Sequence, residues 1–504
     1  MDSLGKGERL VLNTLQHFMA RLSQIVTWTY LERPNETFIE GIAFSSKKIK
    51  KNNLFVCITG HRHDGHNFID EAIANGAIAI VAERPIDAPI PVIYCRDTKI
   101  ALAELAATFY DEPSKRLRVH GVTGTNGKTT TTSLAYQLFT SLGTKAGWIG
   151  TLGIQYAGQT FTTPNTTPDP LTVNRHLDEM VKAGITDCVI EVSSQAIAES
   201  RITELSFQSA SFLNLTHDHL DYHGSMESYA ETKARLFKQV TANGHVFLNR
   251  DDPFHVQMDH ATPGDVKRSY YSRHNASVDL FRKLDHDRLS IASKGQSIAV
   301  TPPFTETYNL DNLLCALGIV LATGISLEDA APHLSSLRLP SGRLERIEGI
   351  ASLAYVDYGH TPDAIQEVVT VLTERHTRVL VLLSAAGERD RSKRSRMTEI
   401  VSQSGADYML SVHDPRGEAP QQILDDLAPG RTAPPPLSVH PIRHDAIRAF
   451  AERLPDYDCG VIFGKGHDRI ERVDGELIPC DEPAIVHRFY PHEREPGDAS
   501  RTER

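Results

Sequence analysis

The run Gly121-Val122-Thr123-Gly124-Thr125-Asn126-Gly127-Lys128-Thr129-Thr130 constrains the fold of this chain more than any other stretch. Residues 118–122 enter it as a buried strand, and a helical pattern leaves it and ends near Gly143. Glycines let the backbone fold close to a polyphosphate while successive N–H groups point at its oxygens. The helix that follows adds roughly half a positive charge at the same place. Gly124, Thr125, Asn126 and Gly127 form the cradle, and Lys128 reaches toward β- and γ-phosphates. The Thr129 hydroxyl is placed to ligate Mg²⁺, and Thr130 completes the set. The strict G-x-x-x-x-G-K-T pattern is missed by one place, because Val122 occupies the first glycine position.

A strand–loop–helix of this kind belongs in an alternating α/β chain with a mostly parallel sheet, and the flanking sequence agrees. Strands are expected at 54–59 and 77–82 with helices at 68–75 and 101–110, then strands at 188–192, 210–215 and 245–249. A helix is expected near 309–321, and further strands at 353–357, 379–383, 407–411 and 459–463. The 504 residues suggest about three domains. The turn-rich stretches around Asp111-Glu112-Pro113-Ser114 and Leu339-Pro340-Ser341-Gly342-Arg343 divide them. The expectation is a small α/β unit over 1–112, a central phosphate-loop unit over 113–343, and a Rossmann-like unit over 344–492. The charged residues 493–504 read as a frayed tail.

Magnesium on a nucleotide needs oxygen ligands beyond the phosphates. Glu191 ends the apolar strand Cys188-Val189-Ile190-Glu191, where its carboxylate would emerge beside the phosphate loop. The cluster Asp218-His219-Leu220-Asp221-Tyr222-His223 puts carboxylates and imidazoles together just past a strand, with little purpose as core filling. Zinc is the other metal such a cluster suggests, but no thiolate partner or H-E-x-x-H helix accompanies it.

With 53 Lys plus Arg against 64 Asp plus Glu, the net charge of -11 argues against a protein that coats nucleic acid. No apolar run approaches the roughly 20 residues of a membrane helix, and no secretory signal is visible. Six scattered cysteines without paired spacing read as free thiols in a reducing compartment, so a cytoplasmic enzyme acting on small molecules is expected.

These features together resemble the Mur ligase family of ATP-dependent amide-forming enzymes in peptidoglycan synthesis, cell-wall biogenesis, cell shape and cell division. The MurE type, which adds the third amino acid to UDP-N-acetylmuramoyl-L-alanyl-D-glutamate, is the nearest in pattern. The motifs are GTNGKTT (124–130), NTTPDP (165–170), EVSS (191–194), NLTHDHLDYHGSMESYAETKARLF (214–237), NLDNLLCAL (309–317), SGRLE (341–345), VDYGHTPDA (356–364) and GKGHD (464–468), in the family order. The resemblance implies a UDP-type substrate domain, a central ATPase and a C-terminal amino-acid domain, in a monomer. It implies two Mg²⁺ ions with Thr129, Glu191, His219 and Lys233 as their ligands, Lys233 being carboxylated by CO₂. A carbamate turns a cation that would repel a metal into an anion that holds one. Lys128, Glu191, His219 and Lys233 are then the catalytic set. Asn312, Arg343, Asp357 and His360 would frame ATP, while Ser46, Asn165, Thr166, Thr167, Ser193 and Arg201 would hold the acceptor. Arg389, His413, Asp414, Arg416, Gly464 and Asp468 would hold the incoming amino acid. The implied reaction runs through an acyl phosphate.

Some positions depart from the family pattern. The family's Asp-Ser-Arg for UDP appears as Ser45-Ser46-Lys47, and a substrate-binding Gln appears as Glu199, which would repel a carboxylate unless bridged. The diaminopimelate motif Asp-Asn-Pro-Arg appears as His413-Asp414-Pro415-Arg416, which keeps the carboxylate-gripping Arg416. Asp468 keeps an acid able to hold an ammonium. The alternatives are a ligase of the same type in a specialised pathway with a non-UDP acceptor, a nucleotide-binding regulator that has lost catalysis, and a folylpolyglutamate-synthase-like ligase. His63-Asp64-Gly65-His66 in the front unit argues against the last.

Overall fold

The computed structural model describes residues 14–25, 29–32, 38–60, 63–286, 288–428, 430 and 433–490; the tail expected over 493–504 lies outside them. The first sheet has the order Thr29–Glu32, Val92–Cys95, Ala77–Ala82, Asn53–Val56, Gly41–Ala43, parallel except at the Thr29–Glu32 edge. Helix Thr98–Phe109 covers it, started by Asp97, whose carboxylate accepts from the N–H groups of Lys99 and Ile100.

The second sheet places Arg118–Thr123 between Asp187–Glu191 and Phe207–Phe212, all parallel. The phosphate loop therefore leaves the carboxyl end of a central strand, where an open α/β sheet gathers its ligands. Helix Lys128–Ser141 packs on helix Thr307–Leu321 through buried Leu134, Leu138, Leu313 and Leu317. Each such leucine stabilises the pair by about 1.5–3 kcal/mol, which fixes the start of the first helix against the second.

Both edges of this sheet turn antiparallel, at Gly153–Tyr156 with Gln159–Phe161 and at Arg288–Ser293 with Gln296–Val300. The parallel alternation expected from the sequence contains neither hairpin. Their strands are short and partly exposed, and what makes them is the turn: Ala157-Gly158 and Lys294-Gly295 all adopt positive φ, the geometry of a tight two-residue hairpin loop.

The third sheet has the order Glu345–Arg346, Leu353–Asp357, Cys459–Phe463, Val379–Ala386, Asp407–His413, Ser438–His440, parallel except at its first pair. A separate hairpin, Ile470–Val473 with Glu476–Pro479, follows it. The α/β class with mostly parallel sheets expected from the sequence is what forms. The expected strands at 54–59 and 210–215 start and stop earlier, as Asn53–Val56 and Phe207–Phe212, because residues 57–59 and 213–215 turn off into loops.

One contact between the first and second units carries a pH dependence. Buried Glu104 takes Arg21 Nε at 2.9 Å on one oxygen, while its other oxygen has no partner and Glu204 stands within hydrogen-bond reach. Burial first, then Glu104, pushes the Glu204 carboxyl up from 4.5 to about 7, with Arg21 and Lys115 opposing. The folded state then binds more protons than the unfolded one between those values, so stability falls as pH rises through that window and stays lower above it. Glu204→Gln is expected to unfold at a higher temperature than the parent near pH 8, with the gap closing toward about pH 4 in thermal scans.

Candidate active site

The phosphate loop is held by the chain that leaves the neighbouring strand. Thr125 N–H donates to Asn214 O at 2.9 Å and Asn126 N–H to Asn214 Oδ1 at 2.8 Å. Gly127 has φ +87°, and a Cβ there would lie 2.3 Å from Asn312 Oδ1, so no side chain fits between loop and helix Thr307–Leu321. Lys128 Nζ donates to Gly124 O and Thr125 O, both at 2.8 Å, directly over the loop. Burial lowers its pKa, opposed by Glu191 and Asp218. Thr130 is buried behind it on the same cleft wall.

Glu191 is wholly buried, and Thr129 Oγ1 and Thr151 Oγ1 each lie 3.0 Å from its Oε2. Thr151 N–H donates to the other oxygen at 2.9 Å, where a Cβ on Gly150 would reach 2.2 Å. Burial raises the Glu191 pKa against that hydrogen bond and the cations Arg343 and Lys128. A carboxylate and two hydroxyls in one buried corner are hard oxygen donors, which suit Mg²⁺. Among the described residues no group of three or more His, Cys, Asp and Glu could hold a metal unaided. Arg343, at the boundary between the second and third units, reaches back to donate to Thr129 Oγ1 at 3.0 Å and lies 4.4 Å over the Tyr358 ring.

Asp218, His219 and His360 gather on the other side of the loop. Asp218 Oδ1 accepts from Lys393 Nζ at 2.8 Å, while His219 Nε2 and His360 Nε2 stand 3.4 and 3.8 Å from Oδ2. Despite its burial, Lys393 and the two imidazoles hold the Asp218 carboxyl well below the usual range. Burial lowers the His219 pKa and brings that of His360 down to about 3. Lys233 is buried with Nζ donating to Gly124 O at 2.9 Å, and burial followed by Lys128 depresses its pKa far below that of a free lysine. Asp357 accepts from Leu344 N–H and Gly359 N–H at 2.7 and 2.6 Å, turning the chain that carries Arg343 and His360 toward the loop.

Toward the first unit, Asn165, Thr166, Ser193 and Arg201 line the cleft. Thr167 is buried behind them: its hydroxyl donates to Glu191 O at 2.7 Å, and its carbonyl accepts from Arg201 Nη1 at 3.1 Å. Ser46 lies elsewhere, buried with its hydroxyl on Glu71 Oε2 at 2.6 Å, because Ser46–Lys48 folds as a short helical turn against helix Ile69–Ala74. Glu199 is bridged by Lys99 Nζ at 2.6 Å and Tyr222 OH at 2.9 Å, which hold it ionised and neutralise its field.

The far end of the cleft holds Arg389, His413, Asp414, Arg416, Gly464 and Asp468, so the residues expected for an amino acid do come together. Ser384 Oγ donates to Phe463 O at 2.8 Å, so the 2.8 Å contact with His413 Nδ1 must be donated by the histidine. Burial keeps His413 neutral, and Gly464 at φ +123° leaves the room: a Cβ would lie 2.6 Å from Ser384 Oγ. Asp468, expected as an acid able to hold an ammonium, is paired with Arg472 Nη1 at 2.7 Å. Thr151, Lys393 and Arg472 were not singled out from the sequence; only the basic run Arg391-Ser392-Lys393-Arg394 after a strand hinted at one of them.

The loop, the buried acid–hydroxyl corner and a continuous cleft of about 1020 Å³ running to the third sheet define a phosphoryl-transfer enzyme with room for two further substrates. Family comparisons agree: residues 38–110 match the Mur ligase family catalytic domain, 122–320 the Mur ligase middle domain, and 342–466 the Mur ligase glutamate ligase domain. The UDP-N-acetylmuramoyl-L-alanyl-D-glutamate–2,6-diaminopimelate ligase of Geobacillus kaustophilus is 35% identical over 463 residues, 89% of this chain and 94% of its own. That of Gloeobacter violaceus is 36% identical over 477 residues, 92% of this chain and 96% of its own. A solved structure of a ligase of the same name superposes with TM-score 0.64 at 28% identity, covering 91% of this chain and 96% of that one. A Mycobacterium tuberculosis folylpolyglutamate synthase bound to ADP and AMPPCP shares the fold at 16% identity, with TM-score 0.58 over 73% of this chain and 91% of its own.

The chain belongs to the Mur ligase family. It is an ATP- and Mg²⁺-dependent ligase that joins an acid to an amino acid through an amide bond. Among the described residues no helix is long and apolar enough to cross a membrane.

Proposed function

We propose that this ligase activates the free carboxylate of UDP-N-acetylmuramoyl-L-alanyl-D-glutamate and joins to it an amino acid with a second carboxylate, diaminopimelate or a relative of it. It would do so as a cytoplasmic monomer in peptidoglycan synthesis. The single observation that carries the reading is the cleft itself, which connects the phosphate loop to Asn165, Ser193 and Arg201 on one side and to Arg389 and Arg416 on the other. The relatives named above support the choice of substrates. The first unit would bind the nucleotide part of the acceptor, the second ATP, and the third the amino acid.

In the proposed reaction an acceptor carboxylate oxygen attacks the γ-phosphorus of ATP, ADP leaves, and an acyl phosphate results. The neutral amine of the amino acid attacks the acyl carbon, phosphate departs and the amine loses its proton. Lys128 and the loop N–H groups would face the charge that grows on the phosphoryl group; Lys128 Nζ over the loop carbonyls supports that role. Asn312, Arg343, Asp357 and His360 stand where they would frame the nucleotide. Thr129, Glu191 and His219 would hold Mg²⁺, and Lys233 would join them as a carbamate; bound Mg²⁺ offsets phosphate charge. Burial that lowers the Lys233 pKa raises its share of free amine, which is the form that adds to CO₂.

Ser46 favours the second reading, a specialised ligase with a non-UDP acceptor: its hydroxyl is turned onto Glu71 and away from the cleft. Phosphate release distinguishes the two. With ATP, Mg²⁺ and a panel of amino acids, turnover is expected with the UDP-muramoyl dipeptide. Turnover confined to other carboxylates would select the specialised ligase, and ATP binding without ADP formation would overturn both.

A further inference from the structure

Arg472 stands in the hairpin strand Ile470–Val473, and its Nη1 lies 3.0 Å from Asp414 Oδ2 and 2.7 Å from Asp468 Oδ2. Its backbone N–H donates to Asp414 Oδ1 at 2.9 Å, which also takes Lys465 Nζ at 3.1 Å. Both acids expected to face an incoming amino acid are thus already met by cations of the chain. The opposite holds for Arg389 and Arg416. Among the described residues neither guanidinium has a carboxylate at ion-pair distance, and the only side-chain hydrogen bond of Arg416 goes to Gly387 O at 3.1 Å. Asp414 and, less strongly, Glu388 act on Arg416 through their fields, against those of Arg389 and Arg472. Neutral His413 adds no charge.

We propose that Arg472 is a specificity-determining residue: by occupying Asp414 and Asp468 it removes the acceptors that a second ammonium needs, so the preferred substrate is an amino acid whose far end is a carboxylate without an ammonium. The inference rests on the ligase reading above and names the substrate class within it. The far carboxylate lies against Arg389 and Arg416, whose planar donors suit it. An ammonium at the same end meets the two guanidiniums and finds Asp414 and Asp468 already engaged by Arg472.

The test uses 2-aminopimelate and meso-2,6-diaminopimelate, which differ at the far ammonium, with ATP and the acceptor established by the panel above. For the parent enzyme kcat/KM is expected to favour 2-aminopimelate by about tenfold or more. Arg472→Gln is expected to shrink that preference at least about tenfold, through a lower KM for the diamino acid with kcat little changed, while Arg472→Lys keeps the parental ratio. A general structural defect would lower both substrates together and leave the ratio where it was. A parent enzyme that uses diaminopimelate as well as or better than 2-aminopimelate overturns the inference and leaves the ligase standing, as does an unchanged ratio in Arg472→Gln. Failure of both amino acids to bind by calorimetry or to be consumed overturns the inference and the proposed function together.

Discussion

Lys233→Ala is expected to lower turnover by about 10²–10³, equivalent to about 3–4 kcal/mol, with the unfolding temperature little changed. The two effects separate because they come from different parts of the side chain. Lys233 Nζ is buried, 4.5 Å above the Tyr229 ring, and donates to Gly124 O beneath the phosphate loop. As an ammonium it costs desolvation and repels Lys128, which is why its pKa falls. Removing it relieves that cost while forfeiting the contacts of its stem, so the fold changes little. As a carbamate the side chain would end in an anionic CO₂⁻ group beneath the phosphate loop, and that charge is what the alanine variant loses. Formate or acetate is expected to restore part of the rate to Lys233→Ala. Labelled bicarbonate should give a carbamate ¹³C signal in the parent that the variant lacks. Near-parental turnover in the variant would remove Lys233 from the chemistry.

How far the site could be read from the sequence depends on how local each contact is. The phosphate loop and Glu191 were legible because each sits where an apolar strand ends, and adjacent parallel strands bring those ends together. His219 and Asp218 were legible for the same reason, as the polar sequel to Phe207–Phe212. Lys393 was not, since it meets Asp218 across 175 residues of chain and its local setting is an ordinary basic helix start. Arg472 left no local mark either: it stands in a largely exposed hairpin, and only the tertiary fold brings it to Asp414, 58 residues earlier. Arg201 and Ser193 line the cleft and Ser46 does not; nothing in Ser45-Ser46-Lys47 announces that Glu71 will claim the hydroxyl. Glu199 shows the reverse case. An acid that looked repulsive in sequence is neutralised by Lys99 from the first unit, a partner only the packed domains supply.

Lys128→Met is expected to cost more than any other single change, about 10³ in kcat or about 4 kcal/mol, with a smaller rise in the KM for ATP. Methionine keeps most of the stem's length and apolar contact, so what disappears is the ammonium that now lies 2.8 Å from two loop carbonyls. A fixed cation aimed at a transferring phosphoryl group stabilises the transition state more than the ground state, because negative charge grows there during transfer. The substitution also leaves a mark on the pH profile. Burial already raises the Glu191 pKa, and Lys128 is one of the groups holding it down. Without that cation Glu191 ionises only at higher pH, so the acid limb of the kcat profile should move upward in the variant. A purely structural defect would lower the whole profile without displacing it. A variant that retains a tenth or more of the parental kcat with an unmoved acid limb would show that the loop N–H groups carry the phosphoryl charge without Lys128.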